Sequence, residues 1–189
     1  MKKIMFNDRY GLTEAVLQNR KTMTRRITPY DLHKFDIKED LLKFSRFNVG
    51  EVVAIAQSYM EVEKGGYPVD SRYDSFRTAY SVGSITEKDK GWKNKMFVRV
   101  DVMPRHIKIT DIKMEQLQDI SDEDCLKEGV QQYKDPFRKI NDKGYCFVGA
   151  TRQYETAIAA FAALIDKVSG KGSWESNPWV FVYEFELID

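Results

Sequence analysis

Residues 179–188, WVFVYEFELI, constrain this chain more than any other segment: after Pro178 they alternate aromatic and aliphatic side chains with polar ones. A period of two buries one face of a β-strand and scatters around a helix. β-branched and aromatic residues at this density also favour the pleated backbone. The same alternation recurs in residues 51–58 (EVVAIAQS), introduced by Gly50, and in residues 95–102 (KMFVRVDV) and 105–117 (RHIKITDIKMEQL), two neighbouring strands separated by Pro104. Within the last of these Ile107 and Ile109 share a face while Ile112 falls out of step, so a bulge or bend is expected near Asp111.

Helical signals are fewer. Residues 12–17 cluster apolar side chains, and Asn19 follows as a residue that tolerates the left-handed cap. Ser121 is placed to cap a helix running to Val130, with Asp122, Glu123 and Asp124 at the positive end of its dipole. The clearest helix is expected at residues 151–168, capped by Thr151, with Tyr154, Ile158, Phe161, Leu164, Ile165 and Val168 as one stripe and Gly170 at its end. Two stretches lack a sustained period. Residues 60–95 carry the turn signals Gly65-Gly66 and Pro68 and are expected to cross the mouth of the fold as an excursion, in which Tyr67, Tyr73 and Tyr80 can give a binding role. Residues 131–150 form a second loop with an internal turn at 141–144.

With 189 residues, 42% hydrophobic and 31% charged, the chain is globular and is expected to form one domain, 1–189, with long insertions near 60–95 and 131–150. The net charge of +1 supplies no global field toward nucleic acid, so any such contact must be local. Two His and two separated Cys build no zinc pattern, and no metal or other cofactor is expected. Nothing requires Cys125 and Cys146 to be bridged, which fits a reduced, cytoplasmic setting. No stretch approaches the length of a membrane span, and MKKIMFNDRYGL lacks the apolar core of a signal peptide. Oligomeric state is not legible.

The run Arg20-Lys21-Thr22-Met23-Thr24-Arg25-Arg26 puts four positive charges in seven residues, beginning where the first helix ends. Lys21 and Thr24 have a spacing that one helical turn brings to the same side. An ammonium beside a hydroxyl can bind phosphate or polarise a carbonyl, and guanidinium groups grip phosphate bidentately. A solvated basic face is the usual explanation of such a run.

NRKTMTRR, residues 19–26, resembles the signature of ASCH domains, in which a helix is followed by Gly-x-Lys-x-x-Thr-x-Arg; Lys21, Thr24 and Arg26 match, and Asn19 stands where the pattern has Gly. Two further blocks, residues 103–130 (MPRHIKITDIKMEQLQDISDEDCLKEGV) and residues 161–189 (FAALIDKVSGKGSWESNPWVFVYEFELID), are similar to the ASCH proteins common in bacteriophages and prophages. The resemblance implies an α+β, mainly β fold: a PUA-like β-barrel with flanking helices, of a kind often associated with RNA. It also implies a site. Small bacterial amidohydrolases of N4-acetylcytidine in the same superfamily use a Lys, a Thr three residues later and a Glu on a later helix, which fall here on Lys21, Thr24 and Glu128. In that reading Thr24 is the nucleophile, Lys21 takes its proton, Glu128 holds Lys21 and Arg26 anchors an oxygen. A purely structural ion pair between Lys21 and Glu128 is the competing reading.

Other candidates carry less. Trp92, in a polar loop, is the best surface aromatic for stacking a base, whereas Trp179 reads as core. Arg105 is placed to line a pocket rim. His106 and Cys125 read as structural. The leading expectation is a binding module whose basic cleft, with Arg20, Lys21, Arg25 and Arg26, holds RNA or a modified nucleoside. An amidohydrolase working through Lys21, Thr24 and Glu128 is the first alternative, and a phage-derived interaction protein without catalysis the second.

Overall fold

The structure is a computed structural model that describes residues 1–28, 43–65, 74–134 and 143–188. It is an α+β fold around a mixed five-stranded sheet. In chain order its main elements are β1 (Lys2–Ile4), α1 (Leu12–Leu17), β2 (Met23–Ile27), β3 (Val52–Ile55), α2 (Tyr59–Lys64), α3 (Asp74–Ser81), β4 (His106–Gln116), α4 (Asp122–Lys127), β5 (Gln131–Lys134), β6 (Lys143–Cys146), α5 (Ala157–Ser169) and β7 (Trp179–Leu187). The sheet runs β1-β3-β4-β7-β2, with β5 and β6 a separate hairpin. Among the described residues only β1 and β3 run parallel. β1 and β2 are the two edges, and among the described residues they do not pair with each other, so the expected barrel is not closed by a strand ladder.

β7 lies between β4 and the edge strand β2, and both of its faces are buried. Phe181, Tyr183 and Phe185 point one way and Val180 and Val182 the other, all 5% exposed or less. The predicted bulge in β4 falls between Ile109 and Asp111. Its effect is on phase. Ile107 and Ile109 pair with Leu187 and Phe185, and after the extra residue Ile112 and Met114 pair with Tyr183 and Phe181, so all four keep to one face of the sheet. Lys113 and Glu115 are thereby turned to the other face, opposite Val182 and Val180.

Several expectations are corrected. Residues 60–95 are not a structureless excursion: Ser58 caps α2 through a capping box with Glu61, and α2 and α3 bury Tyr59, Val62, Phe76 and Ala79 with Ile85, Trp92, Val98 and Val102 in a small core of their own. That core packs on the face of β3 that carries Ala54, while Val53 and Ile55 face the large core. Gly66, Tyr67, Pro68 and Tyr73 lie outside the described residues. Residues 95–102 form two 3₁₀ turns, Lys95–Phe97 and Val100–Val102, in place of a strand. Their backbone groups find local partners: Asn94 caps Met96 N, and Lys3 Nζ donates to the carbonyls of Met96 and Val98 at 2.6 and 3.0 Å. Within the stretch 131–150, residues 131–134 and 143–146 pair as β5 and β6; residues 135–142, with Asn141 and Asp142 of the expected turn, lie outside the described residues. The long helix starts at Ala157, with Thr156 and not Thr151 as its cap, because Tyr154 is drawn into a bridge with Tyr145. No helix among the described residues is long and apolar enough to cross a membrane.

Candidate functional site

The site begins with how α1 ends. Asn19 takes φ 55°, and the amides of Arg20 and Lys21 both return to the Ala15 carbonyl, at 2.8 and 2.9 Å. The chain then passes the end of α4, where Thr22 N donates to the Lys127 carbonyl at 3.0 Å, and enters β2. α4 is short and well capped, Ser121 accepting from Asp124 N at 3.1 Å, and it delivers Glu128 at its C-cap. Gly129 follows at φ 108°. A Cβ there would sit 3.0 Å from Leu12 Cδ2, so both its backbone and the close passage of α1 require glycine.

These two chain ends bring Lys21 and Glu128 together. Lys21 Nζ donates to Glu128 Oε2 at 2.6 Å, to the Glu128 carbonyl at 2.9 Å and to the Met23 carbonyl at 2.7 Å. The two side chains are only 1% and 6% exposed. Burial pushes the Lys21 ammonium below the ordinary lysine range, against the pull of Glu128, which favours the charge. Since β2 is a strand, the side-chain order differs from the helical one expected: Thr24 and Arg26 alternate onto one face and Met23 and Arg25 onto the other.

On the inner face Thr24 pairs with Tyr183 and Arg26 with Phe181. Thr24 is buried and lines a small cavity of about 80 Å³ with Lys21, Arg26, Glu128 and Phe6, and no hydrogen bond within the described residues engages its hydroxyl. Arg26 Nη2 donates to the Met5 carbonyl at 2.6 Å, and its guanidinium lies 5.8 Å from the Phe6 ring. Lys21 Nζ lies 5.9 Å from that ring. Burial, reinforced by Arg46 and opposed by Glu128, lowers the Arg26 pKa.

On the other face Arg25 is held by three carboxylates: Glu115 at 2.5 Å, Asp124 at 2.9 Å and Glu128 at 3.3 Å. Burial opposes its charge, but Glu128, Glu115 and Asp124 prevail and raise its pKa. Arg25, expected to meet a ligand, is the hub joining β2, β4 and α4 and also borders the Thr24 cavity. The remaining candidates scatter. Arg20 is exposed and its Nε donates to Gln18 Oε1 at 2.9 Å. Trp92 corrects its expected role as a surface stacking platform: it is 8% exposed in the small core, stacked on Tyr80 with centroids 5.7 Å apart. Arg105 sits before β4, its carbonyl accepting from Ile55 N, with β7 between it and β2.

Phe6, Arg46, Glu115 and Asp124 were missed from the sequence. For Glu115 a signal existed, because the phase slip at Asp111 that preserves the apolar face also decides which face Glu115 occupies. For Phe6 and Arg46 no local pattern points to the site. Among the described residues no group of three or more His, Cys, Asp or Glu is placed to hold a metal, and Cys125 and Cys146 are both free.

No family model, curated protein or solved structure matches the chain.

Proposed function

We propose that this chain is an ASCH-type domain of PUA-like architecture that hydrolyses an acylated exocyclic amine on a nucleobase, of the N4-acetylcytidine kind. The carrying observation is the cavity in which a buried amine, Lys21, contacts a buried carboxylate, Glu128, while Thr24 contributes a hydroxyl that no hydrogen bond within the described residues engages. The barrel-like curl is supported by Arg26, which ties edge strand β2 to the Met5 carbonyl just beyond the other edge strand, β1.

In this reading the Thr24 oxygen attacks the acyl carbon and its proton passes to the neutral Lys21 amine. The C–N bond then breaks, and the proton moves from Lys21 to the departing amine. Water, deprotonated by Lys21, attacks the Thr24 ester; the carboxylic acid leaves and Lys21 returns the proton to the departing Thr24 oxygen, restoring the hydroxyl and the neutral amine. Glu128 positions the Lys21 nitrogen, and the drop in Lys21 pKa raises the fraction of amine able to take a proton. Incubation with N4-acetylcytidine and chromatographic detection of cytidine tests the activity, with Thr24→Ala as the blank. Absence of cytidine at high enzyme concentration overturns it.

A second reading, binding of a modified nucleoside or RNA without hydrolysis, is favoured by the saturation of Lys21: its ammonium already has three acceptors, the arrangement of a structural pair. Extended phosphate contact by the whole basic run has less support, since Arg25 and Lys21 are neutralised by carboxylates. Ligand binding that survives Thr24→Ala, with no product formed by the wild type, selects this reading.

A further inference from the structure

A larger cavity, about 370 Å³, lies between the two edges of the sheet and shares Arg26 and Ile27 with the Thr24 cavity. Its volume falls in the small-molecule range. Its walls combine aromatic side chains, Phe44, Phe47, Phe181 and Tyr183, with two guanidinium groups, Arg26 and Arg46. Neither arginine forms an ion pair with a carboxylate within the described residues. Arg26 donates to the Met5 carbonyl, Arg46 to the Lys3 carbonyl at 3.3 Å, and each lies over a phenylalanine ring. Burial lowers the Arg26 pKa most, Glu128 opposes it, and the charge of Arg46 adds to the lowering. Within the described residues two guanidinium charges thus border one aromatic cavity with no carboxylate in ion-pair contact, Glu128 reaching Arg26 only at longer range, an arrangement an incoming anion relieves.

The segment carrying Arg46 is held in place from within the core. Arg46 N donates to the Tyr183 phenol oxygen at 3.2 Å, and the Ser45 hydroxyl lies 3.0 Å from the same oxygen. Tyr183 is also the cross-strand partner of Thr24. Tyr183 therefore lines the aromatic cavity, holds the Arg46 segment through its phenol oxygen and stands opposite Thr24 in the strand register.

We infer that this cavity binds the phosphate-bearing part of the ligand, so that the site takes a nucleoside monophosphate in preference to the uncharged nucleoside, its ring against the aromatic walls and its phosphate between Arg26 and Arg46. The inference rests on the proposed function for the identity of the base and adds the anion to it.

Titration calorimetry at fixed ionic strength with cytidine 5′-monophosphate and with cytidine tests it. The wild type binds the monophosphate roughly tenfold more tightly, from paired charge-assisted hydrogen bonds. Arg46→Gln brings the two affinities close together, and Arg46→Lys keeps part of the difference. Melting curves establish that both variants fold. On the wild type alone, millimolar inorganic phosphate weakens binding of the monophosphate and leaves cytidine binding unaltered. Equal affinities for the two ligands in the wild type, or no competition by phosphate, overturn the inference. Hydrolysis of N4-acetylcytidine without any preference for the phosphorylated ligand removes this inference and leaves the proposed activity standing. Arg46-dependent nucleotide binding without hydrolysis does the reverse.

Discussion

Lys21 Nζ and Glu128 Oε2 lie 2.6 Å apart across 107 residues of sequence, both almost wholly withdrawn from solvent. The cost of burying these charges is offset by each other, by the carbonyls around Lys21 and, for Glu128, by Arg25 Nη1 at 3.3 Å. Removing either partner takes from the other its nearest counter-charge. Lys21→Met is expected to destabilise the fold by about 3–5 kcal/mol, whereas the double change Lys21→Met with Glu128→Leu recovers a large part of that loss. Urea denaturation of the four proteins of the cycle checks this, and additive losses contradict it.

Thr24 is separable from the ion pair, since no hydrogen bond within the described residues engages its hydroxyl. Thr24→Ala is expected to abolish acyl hydrolysis while shifting stability by no more than about 1 kcal/mol, and Thr24→Ser to retain activity. Chromatography and thermal melts on the same preparations measure both quantities. Full activity in the alanine variant removes Thr24 from the chemistry.

The pH response follows from Lys21. Its folded pKa lies below the ordinary 10.5, chiefly through burial, so the reactive neutral amine accumulates as pH rises toward that lowered value. The rate is expected to climb about tenfold per pH unit and then level off. In the window between the lowered value and 10.5 the unfolded chain holds more protons than the folded one, so the contribution of Lys21 to stability rises with pH there and is smallest below it. A rate that falls monotonically from pH 6 to pH 9 contradicts Lys21 as base.

The two thiols differ in reach. Burial pushes Cys125 up to about 12 and raises Cys146 less. Cys125 is fully buried and Cys146 half-buried. With a disulfide reagent at pH 8, Cys146 is expected to react first and Cys125 only on unfolding. Peptide mapping after partial labelling distinguishes them.

Trp92 holds a core together and has no place in the proposed ligand site. Trp92→Ala is expected to cost about 3–5 kcal/mol and to leave the affinity of the folded protein for nucleotide unchanged. Loss of binding by a variant that still melts cooperatively contradicts this placement.

What could be read from the chain in advance was whatever depended on neighbours in sequence. The strand character of residues 106–116 and 179–187, the bulge before Asp111, the Ser121 cap and the left-handed Asn19 all follow from local period and backbone preference. The signals failed where a distant group outbid a local one. Residues 95–102 alternate like a strand, yet Lys3 takes two of their carbonyls. Residues 60–95 show no period because their apolar side chains are spent on a small core assembled from short pieces.

The amino-acid order by itself determined that the chain carries a sheet rich in aromatics, a basic turn after its first helix and an acidic cap on a later one. Only the folded molecule decided the use of those charges. Alternation on β2 and the phase shift in β4 send Arg25 to Glu115 and Asp124 and leave Thr24 and Arg26 on the inner face. The reason is geometric: a charge finds its partner through strand register and the crossing of elements far apart in sequence, and no window of neighbouring residues contains that information.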